Sequence, residues 1–160
     1  MGRVIRRQDG ERADFGSFGA RFLLDAGASQ GGIALVEHWV PPRTLAAPLH
    51  RHGREDEYTL VLQGRMGAQL GEDVVEAGAG EVVLKPRGEW HTFWNPGDEE
   101  CRLIEIIAPG GFEGLFRAMA ADPDAMLGER AAALDARFGL EVDYDSIAPL
   151  CARHGLHFPA

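Results

Sequence analysis

As far as Gly111 the chain is a series of short apolar runs separated by glycine and proline. The run from Gly32 to Val40 is apolar on both faces and stops at Pro41-Pro42, whose missing amide hydrogens end a central strand. Further strands are predicted over residues 58–62, 65–70, 74–77, 82–84, 92–94 and 102–108. Gly71-Glu72-Asp73, between the second and third of these, suits a tight hairpin because glycine accepts the turn's backbone angles. Pro109-Gly110-Gly111 ends the last. Many short strands punctuated in this way predict an all-β sandwich or barrel.

After Gly111 the pattern changes to apolar side chains at helical spacing, as in Phe112-Glu113-Gly114-Leu115-Phe116-Arg117-Ala118-Met119. Asp122-Pro123 reads as a cap followed by a first-turn proline. Two later segments, Ala136-Arg137-Phe138-Gly139-Leu140 and Ala152-Arg153-His154-Gly155-Leu156, each place arginine in a last helical turn, glycine at a left-handed stop and leucine where it folds back on the helix. The expected organisation is one domain over 1–160, with a β-barrel core at 1–108 and a helical C-terminal extension at 109–160 packed on it. The extension either covers an open barrel edge or extends a dimer interface, or else acts as a lid. Packing is preferred because surface helices bury an apolar face first.

The chemistry concentrates in two of the punctuated segments. His50 and His52 differ by two, so on an extended backbone both imidazoles leave one face. Glu57 follows shortly, and the turn Pro86-Arg87-Gly88 sets His91 at the start of the next strand. Neutral imidazole is the commonest ligand for a transition metal and Glu57 adds a hard anionic oxygen. One metal can take all four.

At these residues the chain resembles the cupin superfamily. His50, His52, Glu57 and Gly64 fit its first motif, and Gly80, Pro86, Gly88, His91 and Asn95 its second, both with internal spacing intact. One departure is Thr44, where a glycine often precedes the first histidine by six residues; it affects a turn and leaves the ligand set whole. The resemblance implies a double-stranded β-helix, the jelly-roll or cupin barrel, holding one divalent transition metal through His50, His52, Glu57 and His91. Iron, manganese, cobalt, nickel, copper and zinc all suit such a set. It also implies a homodimer.

The remaining histidines, His38, His154 and His157, are expected to be surface or satisfied core residues. Cys101 and Cys151 form no Cys-x-x-Cys motif and are expected to be reduced and buried rather than ligating. Sixteen basic against twenty-five acidic residues give a net charge of -9, which argues against a nucleic-acid partner. No apolar run reaches membrane-spanning length, the N-terminus lacks a signal-peptide pattern, and Arg6 stands where a myristoylation signal has Ser or Thr. The expectation is a soluble cytoplasmic protein acting on a small molecule, with no membrane partner.

Four protein ligands leave an octahedral ion two open positions. Trp39, Tyr58 and Phe93 are the candidate pocket residues, with Trp90, Trp94 and Glu37 weaker; alternation puts Phe93 on the His91 face and Trp94 on the other. Likeness to small quercetin-dioxygenase-like cupins implies a metal-dependent dioxygenase acting on an oxygenated aromatic or enolic substrate, with Glu57 as ligand and transient base. A metal-dependent isomerase, cyclase or decarboxylase and a non-enzymatic small-molecule binder are the alternatives.

Overall fold

The computed structural model describes residues 2–159. Eleven strands are present among them: β1 (Arg12–Asp14), β2 (Gly19–Leu24), β3 (Ala34–Val40), β4 (Leu49–His52), β5 (Asp56–Gln63), β6 (Arg65–Leu70), β7 (Asp73–Gly78), β8 (Val82–Lys85), β9 (His91–Trp94), β10 (Cys101–Ala108) and β11 (Leu140–Asp143). They form two antiparallel sheets, ordered β1-β2-β3-β10-β5-β8 and β11-β4-β9-β6-β7. The helices are α1 (Glu113–Ala121), α2 (Glu129–Arg137) and α3 (Ile147–His154). The fold is a double-stranded β-helix with a C-terminal helical extension, and no helix among the described residues is long and apolar enough to cross a membrane.

Strand alternation builds the interior. β10 buries Cys101, Leu103, Glu105 and Ile107 and turns Arg102, Ile104 and Ile106 outward. The inward residues of both sheets meet in one apolar cluster that includes Phe18, Val36, Val61, Met66, Phe93, Leu103 and Ile107. The outward face of β5 and β8 leaves Tyr58, Leu62, Val82 and Leu84 exposed, so these strands are apolar on both sides.

The motif glycines have backbone reasons. Gly64 joins β5 to β6 at φ 75°, where a Cβ would also sit 3.1 Å from the Glu100 carbonyl oxygen. Gly88 has φ 79°, and its amide donates to the His52 carbonyl at 2.7 Å, tying the turn before His91 to β4. Asn95 spends its side chain on structure, donating to the carbonyls of Val40 and Glu99 and accepting from the Gly97 amide. Thr44 donates to the Pro42 carbonyl and accepts from His157 Nε2, so the departure from the motif clamps the end of the chain to the barrel.

Three expectations need correction. Strands β1 and β2 lie where the sequence reading has none, since two glycines and Arg12, Asp14 and Arg21 interrupt the apolar pattern there. Asp122-Pro123 opens no helix: the Asp122 carboxylate accepts from the Asp124 amide in a local turn, and α2 begins only after Gly128. The extension is also not wholly helical, because β11 pairs with β4 in the register Leu140 to His52 and Val142 to His50. Both expected terminators hold, with Gly139 at φ 67° and Gly155 at φ 64°, and the Leu156 amide returns to the Cys151 carbonyl at 3.0 Å. Leu156 then packs with Leu45, Trp94 and Leu150 in a second apolar cluster.

Candidate metal centre

Three strands bring the ligand set together. β4 carries His50 and His52 on its buried face, β9 opens with His91 directly opposite His50, and β5 of the other sheet supplies Glu57. One ligand atom from each of these four residues lies within 4.8 Å of the others, and all four residues are buried. His52 Nε2 is 3.4 Å from Glu57 Oε1, and His91 Nε2 is 3.5 Å from Glu57 Oε2.

The tautomers are set from outside the cluster. His50 Nδ1 lies 2.7 Å from the Pro48 carbonyl oxygen and His91 Nδ1 lies 3.0 Å from that of Glu89, so both rings donate there and turn an Nε2 lone pair toward the centre. His91 Nε2 and both nitrogens of His52 are buried with no hydrogen-bond partner. Glu55 Oε2, 3.9 Å from His52 Nδ1, is too far to serve. Buried orphan nitrogens are costly unless something binds them, and three imidazoles with one carboxylate are the donor set of a divalent transition ion. The residues therefore fit such an ion.

The local field agrees. Burial, then the neighbouring His91 and His52, hold His50 well below the ordinary histidine range, and burial lowers His91. Both rings stay neutral, the ligating form. Burial works against the Glu57 carboxylate, but His52 and Lys85 outweigh it and keep that group well below its usual value.

Lys85 and Glu105 are buried beside the ligand set, and sequence reasoning did not single them out. Lys85 Nζ lies 2.9 Å from Glu57 Oε2 and 2.8 Å from Glu105 Oε2, and the Thr59 hydroxyl donates to Glu105 at 2.9 Å. Burial pulls the Lys85 ammonium down, yet Glu105 and Glu57 more than restore it. Burial, opposed by Lys85, pushes Glu105 up. The signal was present as a lysine and a glutamate at inward positions of otherwise apolar strands, Val83-x-Lys85 and Leu103-x-Glu105-x-Ile107.

A cavity of about 760 Å³ opens beside the cluster, lined by His50, Glu57, Glu105, His38 and Phe93 from the barrel. The extension supplies much of the rest, including Phe112, Leu115, Phe116, Met119 and Leu140. Phe112 also stands edge-on to His52 at 4.3 Å. The preference for simple packing is thus incomplete, since the extension forms the cavity wall as well as burying its own apolar face.

Of the three pocket candidates only Phe93 lines this cavity. Trp39 lies on the outer face of β3, flat over Gly19, where a Cβ would come within 1.8 Å of the indole, with Arg12 stacked 4.5 Å from its centroid. Tyr58 faces outward next to inward Glu57 and is 37% exposed. Both follow from alternation, Trp39 being one residue from inward His38 and Tyr58 one from Glu57. Trp94 points away from the His91 side and stacks on His154 at 4.3 Å, Trp90 meets Arg51, and Glu37 binds Arg7 and Arg102 on the outer face.

Residues 37–107 match the Cupin domain family model. No curated protein matches the sequence. The fold is similar to that of KdgF from Halomonas sp., at 14% identity and TM-score 0.62 over 71% of this chain and 99% of that one. A predicted oxalate decarboxylase from Thermotoga maritima aligns at 23% identity and TM-score 0.61, over 67% and 99%. The polyketide cyclase RemF from Streptomyces resistomycificus aligns at 27% identity and TM-score 0.58, over 68% and 80%. Within and around the matched segment both motifs stand in register on a double-stranded β-helix, and their histidines and glutamate gather at one point, as a cupin domain requires.

Proposed function

We propose that this protein is a metal-dependent enzyme acting on a small oxygenated ring compound by proton-transfer chemistry, as a cyclase or isomerase does. The observation that carries the reading is the placement of the ligand cluster on the wall of an aromatic-lined cavity that also presents proton-carrying side chains. A cavity of about 760 Å³ is in the range that encloses a multi-ring molecule. A divalent ion held by His50, His52, Glu57 and His91 supplies Lewis acidity toward a substrate oxygen.

The protein's own residues do the rest. Phe93, Phe112 and Phe116 exclude water and stack against an apolar ring system. Glu105, raised by burial and fed by hydrogen bonds from Lys85 and Thr59, is suited to take and return a proton at the cavity wall. Glu57 is less suited to the base role expected from sequence, because Lys85 at 2.9 Å favours its charged form. Proton carriers on the wall are what cyclisation or isomerisation requires, and the likeness to a polyketide cyclase points the same way. The dioxygenase reading draws support from the donor set alone.

The experiment is metal analysis of protein purified without a histidine tag, followed by screening hydroxylated naphthoquinones and poly-β-ketone analogues with an oxygen electrode in the cell. Turnover at an unchanged rate under argon supports the proposal. Oxygen uptake in step with turnover replaces it with the dioxygenase reading. Tight binding without turnover makes the protein a binding module.

A further inference from the structure

We propose that His38 contacts the ligand, its Nε2 accepting a hydrogen bond from a ring hydroxyl. The inference rests on the reading that the cavity takes an oxygenated ring compound, and it deepens that reading by naming a required group.

His38 lies on the inward face of β3 and forms part of the cavity wall. Its Nδ1 is 2.9 Å from the Gly19 carbonyl oxygen. A carbonyl only accepts, so Nδ1 carries the hydrogen and Nε2 of the neutral ring holds a lone pair. Phe18 and Phe116 stand edge-on to the ring at 5.0 and 5.2 Å, which prevents the imidazole from turning away. Nothing among the described residues bonds to Nε2, and unlike Nε2 of His91 it is not sealed off by its neighbours. Burial brings the ring down to about 4, so it is neutral near pH 7.

A fixed acceptor in a wall of aromatic carbon selects among ligands. A phenolic or enolic hydroxyl satisfies it, whereas an ether placed there leaves it unpaired. Discrimination against the ether should reach about 10-fold, the usual consequence of stranding one buried polar group. The four residues gathered at the metal centre do not include His38.

The test compares 2-naphthol with 2-methoxynaphthalene on zinc-loaded protein, by calorimetry or fluorescence, in wild type and in His38→Asn. Asparagine places its amide nitrogen near the position of Nδ1, so it keeps the bond to Gly19 and removes only the nitrogen that faces the cavity. Wild type is expected to prefer the naphthol about 10-fold, and the variant to lose that preference to within about 2-fold through weaker naphthol binding. A preference that survives in His38→Asn, or that wild type lacks, overturns the inference while leaving the ring-compound reading in place. Failure of both probes to bind at all overturns that reading and this one with it. A second measurement does not depend on the variant folding. In long-range proton-nitrogen spectra of wild type, His38 Nε2 should be unprotonated when free and should shift with the naphthol only; a proton on Nε2 in the free protein refutes the assignment.

Discussion

The Lys85 ammonium stands 2.9 Å from Glu57 Oε2, the same oxygen that lies 3.5 Å from His91 Nε2. Lys85, Glu57 and Glu105 are all buried, so two carboxyl groups share one cation in the barrel interior, and burial pushes Glu105 toward its neutral form. With both carboxyl groups ionised the cluster is one positive charge short. A divalent ion held by His50, His52, Glu57 and His91 would more than offset that deficit, which would link metal occupancy to the stability of the barrel.

Replacing Lys85 by methionine keeps the side-chain length and removes the charge. It leaves two buried carboxylates without their cation, and breaking a buried pair from one side costs about 3–5 kcal/mol. Urea unfolding of metal-free protein should show a loss of that order in Lys85→Met. The gap to wild type should narrow in excess zinc, because the ion replaces part of the missing positive charge. A loss below about 1 kcal/mol would show that Glu105 is already protonated in the folded protein.

The positions of Lys85 and Glu105 also show what was legible beforehand. The ligand set, the order of the later strands and both glycine stops follow from spacing and backbone angles, which are local properties. Lys85 and Glu105 alternate correctly with Val83 and Leu103, but a run apolar on both faces conceals which face is inside, so their burial emerges only when β5, β8 and β10 are placed side by side. Trp39 and Tyr58 differ: alternation from inward His38 and Glu57 already sends both outward. β11 shows alternation in Leu140-Glu141-Val142-Asp143, yet four residues between helices form a strand only because β4 offers an edge.

Stability at acid pH should report on His38. Its ordinary value of 6.5 falls to about 4 in the folded protein, chiefly through burial. Below pH 6.5 the unfolded chain therefore binds more protons at this ring than the folded one does, and acidification favours unfolding until the folded ring also titrates near pH 4. His50 and His91, lowered by burial, act in the same direction, while Glu105, raised by burial, acts in the opposite one. Comparison with His38→Asn isolates the ring. The wild-type advantage should grow at about 1.4 kcal/mol per pH unit, by about 3 kcal/mol between pH 4 and 6.5, and stay level above. Chemical denaturation of both metal-free proteins across that range measures it, and parallel profiles would mean that His38 titrates normally.

The extension should be separable from the metal centre. Leu150 on α3 is buried against Leu45 and Trp94, and its replacement by alanine should cost about 2–5 kcal/mol in the cooperative unit that includes it. Hydrogen exchange should quicken in β11 and α3 before it does in β5 or β10. Binding of 2-naphthol should weaken, since Leu140 and Val142 line the cavity. Zinc affinity should hold, because His50 and His91 are oriented by the carbonyls of Pro48 and Glu89 on the barrel itself. Equal losses of zinc and naphthol binding would show that the extension also sets the ligand geometry.

Glu57→Gln tests the division of labour between the two buried carboxylates. The substitution preserves shape and an acceptor oxygen, but leaves a divalent ion facing three neutral imidazoles and leaves Lys85 with Glu105 alone. Losses of about 10 to 100-fold, typical for residues that merely orient a ligand, set the lower bound on the fall in metal affinity. Competition against a chelating dye measures it directly. Rate per bound metal, taken on metal-saturated protein, asks a different question. If Lys85 keeps Glu57 charged and Glu105 carries the proton, the variant should turn over at nearly the wild-type rate once loaded, whereas Glu105→Gln should load normally and lose about 10²–10⁴-fold in rate. A Glu57→Gln enzyme that is fully loaded and slow would return the proton transfer to Glu57, and the contact with Lys85 would then tune a base instead of anchoring a ligand.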